Sequence, residues 1–145
     1  MRRAVALIVL TLWPVLAAAQ AIAQDTGTDL GAPLDAEQFD ALTLGRTITY
    51  AQDGVPYGTE AYRPGHKVIW AFTESECREG DWFQRGEDIC FDYHDDTPLQ
   101  CWQFHDTPSG LVAQFQDPEG GVQSPLVGLS DSKDGLDCPA PDLGV

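Results

Sequence analysis

Four cysteines, Cys77, Cys90, Cys101 and Cys138, and three histidines, His66, His94 and His105, are the side chains of this 145-residue chain best suited to redox or metal chemistry. The cysteines are too far apart in sequence for the close Cys pairs that structural zinc sites favour. Their even number suits two disulfides in an oxidising compartment, with the pairing open among three patterns. His94-Asp95-Asp96 and His105-Asp106 can be written as metal ligands, but such ligands must converge on one point. The strand reading below puts the two histidines at opposite ends of one hairpin, and all three histidines sit at turns or strand ends where solvent accounts for them. No metal site is expected. In Asp131-Ser132-Lys133-Asp134-Gly135-Leu136-Asp137, a lysine at the third position and a glycine at the fifth exclude an EF-hand loop.

Nucleophilic catalysis finds no better footing. Ser75, Ser109, Ser124, Ser130 and Ser132 lie in loops or weak segments, and none has a Gly-x-Ser-x-Gly setting. Cysteines held in disulfides offer no thiolate. With 23 Asp and Glu some carboxylate pair always exists, so paired carboxylates discriminate nothing. No catalytic residue and no cofactor is expected, and an enzyme is the least supported class. The informative set is aromatic: Trp70, Phe72, Trp82, Phe91, Tyr93, Trp102 and Phe104 recur at alternating positions. Such a stripe can line a ligand cavity or fill a core, and core filling is the preferred reading because small barrels are usually packed solid.

The elements that position this stripe are short. Asp35 before 36–42, Gln38 three residues on and Gly45 just beyond are start and stop signals for about two helical turns. Phe39 and Leu42 give that helix one apolar edge, which suits a lid or plug. After Gly45 the spacing turns to alternation, with strands expected at 46–51, 59–63, 67–73, 81–85, 89–93, 99–104 and 111–116 and a weaker one at 122–128. Between them stand Asp53-Gly54, Pro64-Gly65, Gly86-Glu87-Asp88, Asp95-Asp96-Thr97-Pro98, Pro108-Ser109-Gly110 and Pro118-Glu119-Gly120-Gly121, all turn formers. Links of hairpin length force antiparallel neighbours. The expected fold is all-β: a small up-and-down meander of seven to eight strands, closed as a lipocalin-like barrel to remove its edges, with one short N-terminal helix.

Charge and the first residues set the context. Arg2 and Arg3, an uncharged run of 16 residues from Ala4 to Ala19, and the small-residue sites 17–19 and 21–23 form a secretory signal in the right order. The run contains Pro14 and falls short of the roughly 20 residues that span a bilayer. The expected organisation is therefore a signal peptide over 1–23 cleaved after Ala19 or Ala23, and a flexible lead-in over 24–34. A single disulfide-stapled β domain follows over 35–145, with an irregular acidic tail from about 129. The formal net charge is −15, and losing Arg2 and Arg3 takes the 8 basic residues to 6 and the net to −17. Such acidity speaks against nucleic acid and against anionic membrane surfaces, and favours a basic protein partner.

Gly80-Asp81-Trp82, Ile89-Cys90-Phe91-Asp92-Tyr93 and Gln100-Cys101-Trp102-Gln103-Phe104 form a Gly-x-Trp, Cys-Phe-x-Tyr, Cys-Trp-x-Phe series. Together with Gly45-Arg46-Thr47, Asp53-Gly54 and the closing Cys138-Pro139, it resembles small exported alphaproteobacterial proteins of the domain of unknown function numbered 995. The resemblance spans about 35–104. It implies a periplasmic address and a small β fold, and it carries no reaction. The function expected is a non-enzymatic binding or interaction module of the cell envelope, periplasmic or secreted, with a basic envelope or secreted protein as partner. Two alternatives stand beside it: an inhibitor of a secreted enzyme such as a basic lysozyme or a protease, and a small-ligand carrier.

Overall fold

Short links decide the topology. Asp53 and Gly54 join β1 (Thr47–Gln52) to β2 (Val55–Arg63) with φ of 51° and 80°, the doubly positive turn whose twist matches that of the flanking strands. The chain continues through β3 (Lys67–Thr73), β4 (Glu76–Arg85), β5 (Asp88–Asp92), β6 (Gln100–Thr107), β7 (Gly110–Phe115) and β8 (Leu126–Ser132), with tight turns except for the longer links over 93–99 and 116–125. The computed structural model describes residues 30–73, 76–136 and 138 of this chain. Each strand pairs antiparallel with the next and β8 returns to β1, so the sheet is a closed eight-stranded barrel with no free edge. The expected meander, its closure and its single short helix are all present. The signal segment 1–23 lies outside the described residues. No helix among them is long and apolar enough to cross a membrane.

Strands β2, β4 and β8 begin furthest from the sequence reading, and β6 runs three residues past its expected end. β2 starts at Val55 despite Pro56 and Gly58, because a register shift between Tyr50 and Ala51 sets Ala51 opposite Pro56 beside the hairpin end, where a missing N–H is tolerated. β4 starts at Glu76 because its first inward positions are Arg78 and Gly80, which silence the hydrophobic alternation. β8 occupies Leu126–Ser132 in place of 122–128, so the acidic segment from 129 begins as a strand facing β1. The two seams of β8 are unequal: six residue pairs join it to β1 and two join it to β7.

Both disulfides close. Cys90 and Cys101 stand opposite each other on β5 and β6 and are bonded, and Cys77 on β4 bonds Cys138, which selects one of the three patterns. The inward faces carry Ile48, Tyr50, Tyr62, Val68, Trp70, Trp82, Ile89, Phe91, Phe104, Ala113 and Leu126, which form one buried cluster.

One end of the barrel is plugged. Helix α1 (Ala36–Thr43) begins with a capping box in which Asp35 accepts from the Gln38 N–H and the Gln38 side chain accepts from the Asp35 N–H. It drops Phe39 into the barrel, fully buried, with ring centroids 4.5 Å from Phe104, 5.0 Å from Trp82 and 5.5 Å from Tyr62. Gln84 on β4 accepts the Ala36 N–H at 2.9 Å and fixes the helix start. Asp35→Ala should cost about 1 kcal/mol, read as a lower midpoint in urea with an unchanged slope, and Asp35→Asn should restore most of it. The lead-in is held at two points: Leu34 N–H donates to the Phe104 carbonyl at 2.7 Å, and His105 Nδ1 lies 3.1 Å from the Gly31 carbonyl. His105 is therefore a buried residue inside β6 and not the solvated strand-end histidine expected. The lead-in covers it.

Candidate functional site

Alternation fixes what faces the barrel axis, and shear brings strands far apart in sequence to the same level. On β2 the inward residues are Gly58, Glu60 and Tyr62; Glu60 pairs across with Trp70 on β3, which pairs with Arg78 on β4. Gly58 has a packing reason: a Cβ there would sit 2.3 Å from Cζ2 of Trp70, so the bare backbone makes room for the indole. Opposite the plugged end the barrel keeps a cavity of about 270 Å³. Tyr57 and Phe72, both more than a third exposed, stand at its mouth with Arg78, Thr97 and Gln100. Its deeper wall is Tyr50, Glu60, Tyr62, Trp70, Phe91 and Tyr93.

Six of the seven aromatics singled out in the sequence line this cavity: Trp70, Phe72, Phe91, Tyr93, Trp102 and Phe104. Trp82 does not, and it packs instead between Phe39 and the ring of His66, whose centroid is 4.0 Å away. Near the plug Trp82, Phe91 and Phe104 pack on Phe39, and toward the other end the same face lines open space. The glycines of the inward row do not leave that space, since a Cβ at Gly58 would collide with the Trp70 ring and one at Gly80 with the Asp92 carbonyl.

The polar groups of this cavity were not legible as a set. Glu60 is 3% exposed, yet it carries a carboxyl group. Its Oε2 accepts a hydrogen bond from the Tyr93 hydroxyl at 2.9 Å, while its Oε1 has no hydrogen-bond partner among the described residues. Tyr50 and Tyr62 hydroxyls bond each other at 2.8 Å. Only one of their two hydrogens can lie in that bond. Burial pushes the Glu60 carboxyl up to about 8, with the Tyr93 hydrogen bond pulling partly the other way. Burial also raises the Tyr50, Tyr62 and Tyr93 hydroxyls, so all three phenols are neutral donors at physiological pH. Arg78 is partnered at the rim: its Nη1 donates to Thr97 Oγ1 at 2.7 Å, its Nε lies 3.8 Å from Asp95, and its guanidinium sits over the Phe72 ring at 5.4 Å.

The histidines stay apart. His94, just beyond β5, pairs with Asp81 at 2.6 Å, and Lys67 bonds the same carboxylate and holds it below the usual carboxylate range. His105 lies on the outer face near the far end of β6, away from His94 as the hairpin reading required.

Fold and cavity together define a small closed β-barrel with one end stoppered by a helix and the other open onto an aromatic chamber. Comparison with known proteins finds no matching family model, no matching curated protein and no matching solved structure.

Proposed function

We propose that this chain is a non-enzymatic, exported binding barrel of the cell envelope that takes one small organic ligand through its open mouth. The observation that carries this reading is the chamber of about 270 Å³, walled by aromatic rings around a buried, half-satisfied carboxyl group. Ligand sites are mostly apolar concavities with a few placed polar groups, usually about 300–1,000 Å³. A cavity just under that range suits a ligand of one or two rings. Two disulfides and a leader with the order of a secretory signal support the periplasmic or secreted address.

Indole is the first probe. Titrated into the mature protein by calorimetry, it should bind saturably at sub-millimolar concentration, within the ceiling for so few heavy atoms. Native mass spectrometry should show one ligand per chain. A net charge of −15 supports a second reading, docking on a basic secreted or envelope protein. A protein that binds no indole and slows a basic lysozyme at low salt would belong to that reading.

A further inference from the structure

We infer that the barrel is specific for a compact organic ammonium, whose charged head meets Oε1 of Glu60 while its ring lies among Trp70, Phe91 and the tyrosines. This inference rests on the ligand-binding reading and names the ligand class. Three observations on independent residues support it. Glu60 lines the chamber, and its Oε1 is buried without a hydrogen-bond partner among the described residues, so a ligand donor that reaches it meets an acceptor that has already lost its water. Its neighbours are aromatic: Trp70 stands directly across from Glu60 in the β2–β3 register, and Phe91 and Tyr93 stack at 6.2 Å on the far wall. Ring faces attract a desolvated cation, and a carboxylate beside them adds a charge-assisted hydrogen bond.

The third observation is that the one cation among the described residues lining the chamber is already engaged. Arg78 is satisfied at the rim by Thr97, Asp95 and the Phe72 ring, which leaves Glu60 without a basic partner in the interior. The groups facing Glu60 are Tyr93 beyond β5, Tyr50 on β1, Tyr62 on its own strand, Trp70 on β3 and Arg78 on β4. Burial keeps Glu60 protonated at neutral pH in the empty barrel. Binding an ammonium thus releases one proton from the carboxyl group to solvent, and the ligand's positive charge replaces it.

The test uses probes of matched shape: 2-phenylethylamine, 2-phenylethanol and 3-phenylpropionate, titrated by calorimetry into the mature, disulfide-bonded protein. At pH 8 the amine should bind at least about tenfold tighter than the alcohol, and the carboxylate weaker than both. Amine affinity should fall by roughly tenfold per unit as pH drops from 7 to 5, while alcohol affinity stays level. Glu60→Gln keeps the shape, and it should erase both the preference for the amine and the pH slope. An alcohol that binds as tightly as the amine overturns the ammonium inference and leaves the binding barrel standing. Failure of indole and of all three probes overturns the binding reading itself.

Discussion

Glu60→Gln is expected to raise the melting temperature, by little at pH 5 and by roughly 10 °C at pH 8. The buried carboxyl group titrates at about 8 in the folded protein against an ordinary 4.5, so the native state holds a proton that the unfolded chain releases earlier. For a group raised in this direction the favourable contribution is complete below about 4.5. It is lost progressively as pH climbs through about 8. Each unit of that span is worth about 1.4 kcal/mol, which makes the total several kcal/mol. Glutamine stays neutral at every pH and can still accept from Tyr93. Thermal melts of parent and variant across pH 5 to 8 measure the gap directly, and a gap that stayed constant or narrowed toward pH 8 would refute a raised carboxyl group. A residue that lowers stability at the working pH while lining a cavity has the profile of a functional group.

Phe39→Ala should be the most damaging apolar substitution, costing about 3–5 kcal/mol. The ring is fully buried and meets Tyr62, Trp82, Phe91 and Phe104, so the truncation opens a void that a closed barrel has little freedom to collapse. Equilibrium unfolding in urea should show the midpoint drop with a preserved slope. Phe39→Leu should lose less than half as much. A loss below about 1 kcal/mol for the alanine variant would mean that the helix rests on the barrel without stoppering it.

Much of this architecture is written in local chemistry. Asp53-Gly54 encodes its own hairpin, the capping box around Asp35 encodes its own helix start, and the alternation through Val68, Trp70 and Phe72 encodes an inward face. The candidate site was legible only in its apolar part. Glu60 has the same parity as Tyr62, which was the available signal, but charged residues are almost never fully buried without a partner, so a lone Glu in a short strand reads as outward. Tyr50 stands one hairpin away from Glu60, whereas Tyr93, just beyond β5, meets it only because the sheet curls closed. The β4 residues 76–80 were missed because Arg78 and Gly80 give no apolar rhythm.

The two disulfides differ in what must happen before each can form. Cys90 and Cys101 are 11 residues apart and face each other as soon as one hairpin exists, whereas Cys77 and Cys138 are 61 apart with four strands between them. Loop-closure entropy grows with that separation. In the folded barrel the long bond ties the segment beyond β8 back to β4, on a strand that neither seam of β8 touches. The short bridge staples one local turn, and the long one locks together elements that no hairpin joins.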